Sequence, residues 1–372
     1  MKQINLYKQK IFYYLSTLIF LSIIISCGVF FKSGNNSSNN IPVDIYVGGS
    51  SGGEYSADRV AVYWKNGEMI PLSTKRSEVT SIAVINNYIY MGGYYCIDDA
   101  SMIQADGDMS VPIAGYWKNG KWVSLSNAKY GSSVHGIFVS SNDVYACGWI
   151  STREDVRFGG YWKNSKWVGL SNTKNGSSVG TIFLSNNDVY LGGYIKEDHR
   201  QIPGYWKNGE WVSFNNAKYG SAVCAIFVSG NDVYAGGTIM VNYIMIPGYW
   251  KNGEWVALQY LSERKVASVF SIFVSGNDVY AGGYSRDNSG INIACYWKNG
   301  KIIPLMLSEP KFSCVNSIFV FGKDVYAAGY SRDSDGLEIP GYWKNGEWVR
   351  LVAKGYSPSV TSIFVVPRPT VQ

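Results

Sequence analysis

The side chains able to carry chemistry are few and scattered. The chain of 372 residues holds two histidines, His135 and His199, and neither has a cysteine pair beside it. The six cysteines, Cys27, Cys96, Cys147, Cys224, Cys295 and Cys314, show no CxxC and no Cys/His zinc spacing. Adjacent acids occur at Glu154 and Asp155 and at Glu197 and Asp198, but glycoside hydrolysis needs two carboxyls facing one bond, and no pair is distinguished. Walker, dinucleotide-binding and Ser-His-Asp arrangements are missing. The stretch YYCIDDASMIQADGDMSVP gathers Asp98, Asp99, Asp106 and Asp108. Converging carboxylates of this kind hold calcium, although the spacing fits no calcium-loop motif. These features predict a chain that is no enzyme and takes no cofactor.

The elements that position these residues come from an internal repeat, the first thing to seek in such a chain. YWKN occurs seven times, starting at Tyr63, Tyr116, Tyr161, Tyr205, Tyr249, Tyr296 and Tyr342. One unit reads VCAIFVSGNDVYAGGTIMVNYIMIPGYWKNGEWVAL, Val223 to Leu258. AIFVS is a run of β-formers, GN a two-residue turn, and DVYAGG a second strand. PGYWK is a third strand, NG a hairpin signal, and EWVAL a fourth strand. Four antiparallel strands in about 45 residues make a propeller blade. No segment after the first 26 residues has helical periodicity.

The repeat is cut in two at the chain ends. TSIFVVPRPTVQ stops halfway through a unit, and VDIYVGG, Val43 to Gly49, continues it with nothing before. The two halves predict an all-β, seven-bladed β-propeller over residues 43–372, closed by N- and C-terminal strands that share one blade. Closure removes most of the unpaired edge that an open stack would expose. Twelve of the thirteen tryptophans fall on the third and fourth strands, so they read as packing between blades. Cys147 and Cys295 stand where other copies carry small residues, and read as buried small hydrophobes.

Charge excludes little and suggests less. The net charge is +6, three of which belong to Lys2, Lys8 and Lys10, and seven further lysines are copies of one repeat position. The basic balance is a scaffold property, and no nucleic-acid partner is expected.

Variation between copies points to one face. The SGND and KNGE turns are nearly uniform and lie at one end of each blade. The other two connections vary in length and chemistry and lie at the opposite end, which makes that loop face the expected binding surface. Each innermost strand enters through Val, and the next residue changes: Thr80, His135, Gly180, Cys224, Phe270, Asn316 and Thr361. These seven are expected to ring the mouth of the central channel. A second candidate is the apolar connecting loop with Ile239, Met240, Val241, Tyr243, Ile244 and Met245.

The N-terminus reads as an address. A lysine-bearing start is followed by the apolar run IFYYLSTLIFLSIII, too short for a spanning helix of about 20 residues. IISC, Ile24 to Cys27, resembles the bacterial lipoprotein box. That resemblance implies a signal peptide over residues 1–26, lipidation of Cys27, and a polar tether over 27–42. The VYAGG stretch with its following Tyr and Trp resembles the kelch repeat of β-propellers. The units are also similar to those of repetitive bacterial lipoproteins with DVYxGG and YWKNG motifs, a group without established biochemistry. SRDNSG, Ser285 to Gly290, and SRDSDG, Ser331 to Gly336, resemble the sialidase Asp-box, with the Gly one place late and the Trp missing. Turn chemistry accounts for both segments.

The expectation is therefore a lipid-anchored module of a bacterial cell envelope, at the outer membrane or cell surface. Its ectodomain would be monomeric and would bind a protein or glycan through the loop face. The alternatives are a glycan-active hydrolase on the same scaffold and a purely structural envelope protein.

Overall fold

The computed structural model describes residues 41–52, 59–98, 110–126, 130–153, 156–173, 175–197, 200–214, 221–241, 244–307, 312–355 and 358–369. The signal segment, the tether as far as residue 40 with Cys27, and Asp99, Asp106, Asp108, His199 and Tyr243 lie outside the described residues. The described residues form 27 strands, β1 to β27, and no helix. They make five four-stranded antiparallel sheets and one seven-stranded sheet.

The larger sheet has a local cause. β3 (Glu68–Ile85) runs unbroken through what is elsewhere a fourth strand, a connection and the next innermost strand. Its first part pairs with β2 (Val60–Lys65), Trp64 opposite Met69, and its second part pairs with β4 (Tyr88–Asp98), Ile82 opposite Met91. The connection STKR between these parts has no glycine to turn it, and Arg76 pairs with Val60. In the units that follow, glycines with positive φ, such as Gly131 and Gly176, break the path at this point.

β27 (Ser359–Pro367) joins β1 (Val43–Ser51), with Val43 opposite Pro367 and Ser50 opposite Ser359. The two ends of the described chain therefore meet in one sheet. The innermost strands follow one another: β3, β7 (Ser132–Ser140), β11 (Ser177–Ser185), β15 (Ala222–Ser229), β19 (Ala267–Ser275), β23 (Ser313–Phe321) and β27. Each touches the next, and β27 returns to β3. This cyclic all-β arrangement is consistent with a β-propeller.

Three layers of side chains hold the ring. Near the axis, consecutive phenylalanines touch, with ring centroids 5.5 Å apart for Phe138–Phe183, 4.6 Å for Phe183–Phe227 and 5.1 Å for Phe319–Phe364. Phe273 bridges Phe227 and Phe319, and Ala83 takes the corresponding place on β3. The inner edges would expose backbone N–H groups, and hydroxyls from the preceding unit accept most of them. Ile82 N–H donates to Ser362 Oγ at 3.2 Å, Ile137 to Ser81 at 3.2 Å, and Ile226 to Thr181 at 3.0 Å. Further out, the YWKN tryptophans are buried, each at most 2% exposed. They pair with the fourth-strand tryptophans, as in Trp206–Trp211 at 4.4 Å and Trp343–Trp348 at 4.3 Å. Such rings supply large apolar area with specific geometry.

The uniform turns are fixed from within. In each KNG or KNS turn the Asn takes positive φ, 52° at Asn208 and 51° at Asn252, as the tight hairpin demands. Asn208 Nδ2 donates to Asp188 Oδ1 at 2.7 Å, while its Oδ1 accepts Val189 N–H at 2.9 Å. Lys207 Nζ lies 2.8 Å from Asp188 Oδ2 and 5.4 Å from the Tyr190 ring centroid. The Lys207 ammonium and then Asn208 hold the Asp188 carboxyl below its ordinary value, and the same partners act on Asp232 and Asp278. These groups recur because they lock two turns together, so their uniformity calls for no ligand.

Candidate functional site

The loop-face mouth is built by a β-bulge repeated around the ring. The ladder slips between Val79 and Ser81, Val134 and Gly136, Val179 and Thr181, Val223 and Ala225, Val269 and Ser271, and Val315 and Ser317. The β1–β27 ladder slips likewise opposite Gly48 and Gly49, leaving Thr361 between. The bulged residues are thus Thr80, His135, Gly180, Cys224, Phe270, Asn316 and Thr361, the variable set. A bulged residue has no partner of its own across the ladder, which frees its identity. The strand opposite comes very close. A Cβ on Gly283 would sit 1.9 Å from Ser268 O, so only glycine fits there.

Four bulged side chains tie neighbouring units together. Thr361 Oγ1 donates to Val79 O at 2.6 Å, Thr80 Oγ1 to Val134 O at 2.9 Å, and Asn316 Nδ2 to Val360 O at 2.8 Å. His135 Nδ1 bonds Val179 O at 2.9 Å, and its Nε2 accepts the Trp149 indole N–H at 3.2 Å. Burial pushes the His135 pKa down to about 4, so the imidazole is neutral near pH 7. The remaining three, Gly180, Cys224 and Phe270, lie on consecutive units and bring no hydroxyl, amide or imidazole. Cys224 is buried, its thiol pushed up to about 12 by burial, and Phe270 is half-buried against Tyr284 at 6.0 Å.

Sequence reasoning missed a second tier. One residue past the glycines of the second strand stand Tyr94, Trp149, Tyr194, Tyr284 and Tyr330, each opposite the residue before the inner-strand Val. The signal was an aromatic in five of seven copies, lost among the chain's 57 Trp, Tyr and Phe residues. In one unit the residue opposite is Glu78. Tyr94 Oη donates to Glu78 Oε2 at 3.3 Å, and Ser359 Oγ donates to Glu78 Oε1 at 2.9 Å. Ser50 Oγ lies 2.7 Å from Ser359 Oγ, so the cluster spans the junction of the two chain ends. The Glu78 charge, and then burial, push the Tyr94 phenol well above its ordinary range, while Arg59 and Arg76 oppose the shift. Glu78 and Tyr94 are half-buried, within reach of solvent. The arrangement is a phenol whose proton already points at a carboxylate.

The other expected sites fall as follows. Ile239, Met240 and Val241 belong to β16 (Asp232–Val241), and Ile244 and Met245 to β17 (Ile244–Lys251). The expected contact loop is therefore a hairpin extension, with Met240 opposite Met245 and Val241 opposite Ile244. Continuous apolar, β-forming runs, Ile239 to Val241 and Ile244 to Ile246, favour continued pairing over a loop. Ile239 packs against the Phe214 and Trp250 cluster, and Ile244 stays 43% exposed. Asp98 ends β4 opposite Ser110. Among the described residues no three His, Cys, Asp or Glu side chains gather as metal ligands. Cys147, Cys224, Cys295 and Cys314 are free and buried, and Cys96 is buried.

No family model and no curated protein matches the chain. Among solved structures it is similar to the computationally designed Ika8 protein, at 17% identity over 77% of this chain and 76% of that one, TM-score 0.39. It is also similar to a mutant of Trypanosoma rangeli sialidase displaying trans-sialidase activity, at 10% identity over 79% of this chain, TM-score 0.46. Trypanosoma rangeli sialidase in complex with sialic acid follows, at 11% identity over 85% of this chain, TM-score 0.44. The chain spans 55% and 56% of those two sialidase chains. The likeness concerns the repeated sheets and carries no argument about substrate. It does correct one expectation. Enzymes stand among the structures this chain resembles, so the missing sequence motifs do not make it a non-enzyme.

Proposed function

We propose that the chain is a glycan-active, seven-bladed β-propeller of a bacterial cell envelope. Glu78 and Tyr94 form its reacting centre at the loop-face mouth. The observation that carries this reading is the Tyr94 Oη to Glu78 Oε2 hydrogen bond of 3.3 Å beside the aromatic tier. A phenol is a weak nucleophile until a base takes its proton. Glu78 is placed to take that proton as the phenolic oxygen bonds to an anomeric carbon, the bond from that carbon to the aglycone oxygen breaking and the aglycone leaving with the electron pair; water then displaces the Tyr94 oxygen, which takes its proton back from Glu78. Aromatic faces at the mouth, Tyr284 and Phe270 among them, suit the apolar faces of sugar rings. The count of seven blades follows when β3 is divided between two units. The units keep their similarity to kelch repeats and to the repetitive lipoproteins. A lipid on Cys27 would hold a monomeric ectodomain at the outer membrane or cell surface, with the segment 27–42 as tether.

A second reading has its own support. Ile244, exposed on the β16–β17 hairpin, favours adhesion to a protein through the loop face. One experiment separates the two. The chain is offered a panel of aryl glycosides, whose leaving groups depart without an acid, and turnover is compared with Glu78→Gln and Tyr94→Phe. The glycan-active reading expects turnover on at least one member and a loss of about 10²–10⁴-fold in each variant. No turnover anywhere, with a protein ligand lost on Ile244→Ser, would replace it with the adhesion reading.

A further inference from the structure

The chain reaches the ring on the uniform turn face. β1 starts at Val43, and Asp44 there takes the part played elsewhere by Asp188: its Oδ2 lies 3.2 Å from Lys65 Nζ, and Asn66 Nδ2 donates to its Oδ1 at 3.0 Å. Arg368 closes over the same point, its N–H to Pro42 O at 2.7 Å and its Nε to Asp44 Oδ1 at 2.9 Å. The described chain therefore begins on the turn face, at Ile41.

Charge on that face is uneven. The repeat lysines Lys163, Lys207, Lys251, Lys298 and Lys344 each pair with an aspartate at 2.8–3.5 Å. Lys118 has no aspartate, because Tyr88 stands at that position. Its Nζ lies 4.9 Å from the Tyr88 ring centroid and 5.3 Å from that of Tyr90. The fourth strands of the next sector open with Lys121 and Lys166, whereas further round Glu210, Glu254 and Glu347 open three fourth strands and Lys301 the other. The two units that follow β1 and β2 around the ring thus present Lys118, Lys121, Lys163 and Lys166 against the one carboxylate of Asp143, with Tyr88 48% exposed among them. Of the units beyond, those of Lys207 and Lys251 present more acid than base, whereas the next sets Lys298 and Lys301 against Asp278.

We propose that this sector docks on an anionic lipid surface, with the ammonium groups among the headgroups and Tyr88 at the interface, so that the loop face points away. A lysine-rich patch gains on such a surface in proportion to its charge, and an amphipathic ring suits the headgroup level. The tether ending beside the patch is what selects a membrane as the occupant. The inference rests on the reading that the N-terminal segment is membrane-held, but not on how it is held.

The full chain is tested by flotation and pulse acetylation on vesicles of phosphatidylcholine, with or without phosphatidylglycerol. On the anionic vesicles Lys118, Lys121 and Lys166 should acetylate about tenfold more slowly than on the neutral ones, with salt restoring the rates. Lys207 and Lys251 should not change. In the variant Lys118→Glu/Lys121→Glu/Lys166→Glu the protection of Lys163 should vanish. Equal rates on both vesicles, or protection of Lys196 on the other face, overturns the proposal. A chain that does not float with neutral vesicles refutes membrane holding. Docking is then read from flotation with anionic vesicles alone, which the triple variant should weaken on the order of a hundredfold.

Discussion

Lowering the pH from 7 to 4 should loosen the ring at one buried histidine. His135 is 8% exposed, bonds Val179 O through Nδ1, and accepts the Trp149 indole N–H through Nε2. A second proton has nowhere to go except onto Nε2, where it would meet another N–H. Burial, with the nearby Arg157 charge adding to it, puts the folded-state pKa at about 4, against an ordinary value of 6.5. The unfolded chain therefore binds this proton first. The stability that His135 contributes is complete above about pH 6.5, is lost as the pH falls towards about 4, and changes no further below that. At about 1.4 kcal/mol per pH unit the gap comes to roughly 3 kcal/mol. Urea unfolding between pH 7 and 4 should show this loss in the wild type, and His135→Gln should be nearly flat across the window. Imidazole NMR gives an independent reading, since the chain has only two histidines and the signal missing from the variant belongs to His135. A wild type equally stable at pH 4.5 and 7, or a His135→Gln chain with the same slope, would refute the strut.

Other outcomes follow from the same contacts. Phe364→Ala removes a ring 1% exposed from the C-terminal strand and should cost about 3–5 kcal/mol in urea unfolding, whereas Val352→Ser, at a site 71% exposed, should cost nothing measurable. Deleting residues 359–372 should bare the edge of β1 and make the chain aggregate or succumb to protease, and a deletion that melts like the full chain would undo the shared-sheet closure. Gly283→Ala drives a Cβ into Ser268 O and should cost about 3 kcal/mol in the same assay. Acylation of Cys27 predicts a palmitate-analogue label on the wild type and none on Cys27→Ala.

The sheet pattern was legible because it depends on local signals repeated along the chain. Two-residue turns, alternating β-formers and NG dipeptides each mark a strand end, and the half-units TSIFVV and DIYVGG pair as their fragments suggest. β3 was not legible as one strand, since only the absence of a turn residue in STKR tells that the path continues. The bulge was half legible. Its variability showed in the sequence, but not its cause, because register is set by the partner strand. The hairpin at Ile239 to Met245 read as a loop because its apolar residues suggested a patch rather than a ladder. Glu78 and Tyr94 stand 16 residues apart, and only the antiparallel ladder puts one opposite the other. Neither residue is set apart by its type, so the pairing had to be seen in space.

The reading of the mouth as a glycan-active centre is tested most directly by trapping. The chain is incubated with activated, fluorinated glycosides that slow the release of a covalent sugar, and its peptides are mapped by mass spectrometry. A glycosyl mass is expected on the peptide carrying Tyr94 in the wild type, none in Tyr94→Phe, and much slower labelling in Glu78→Gln. A chain that stays unlabelled while turning over a glycoside, or that is labelled equally in Tyr94→Phe, would contradict it.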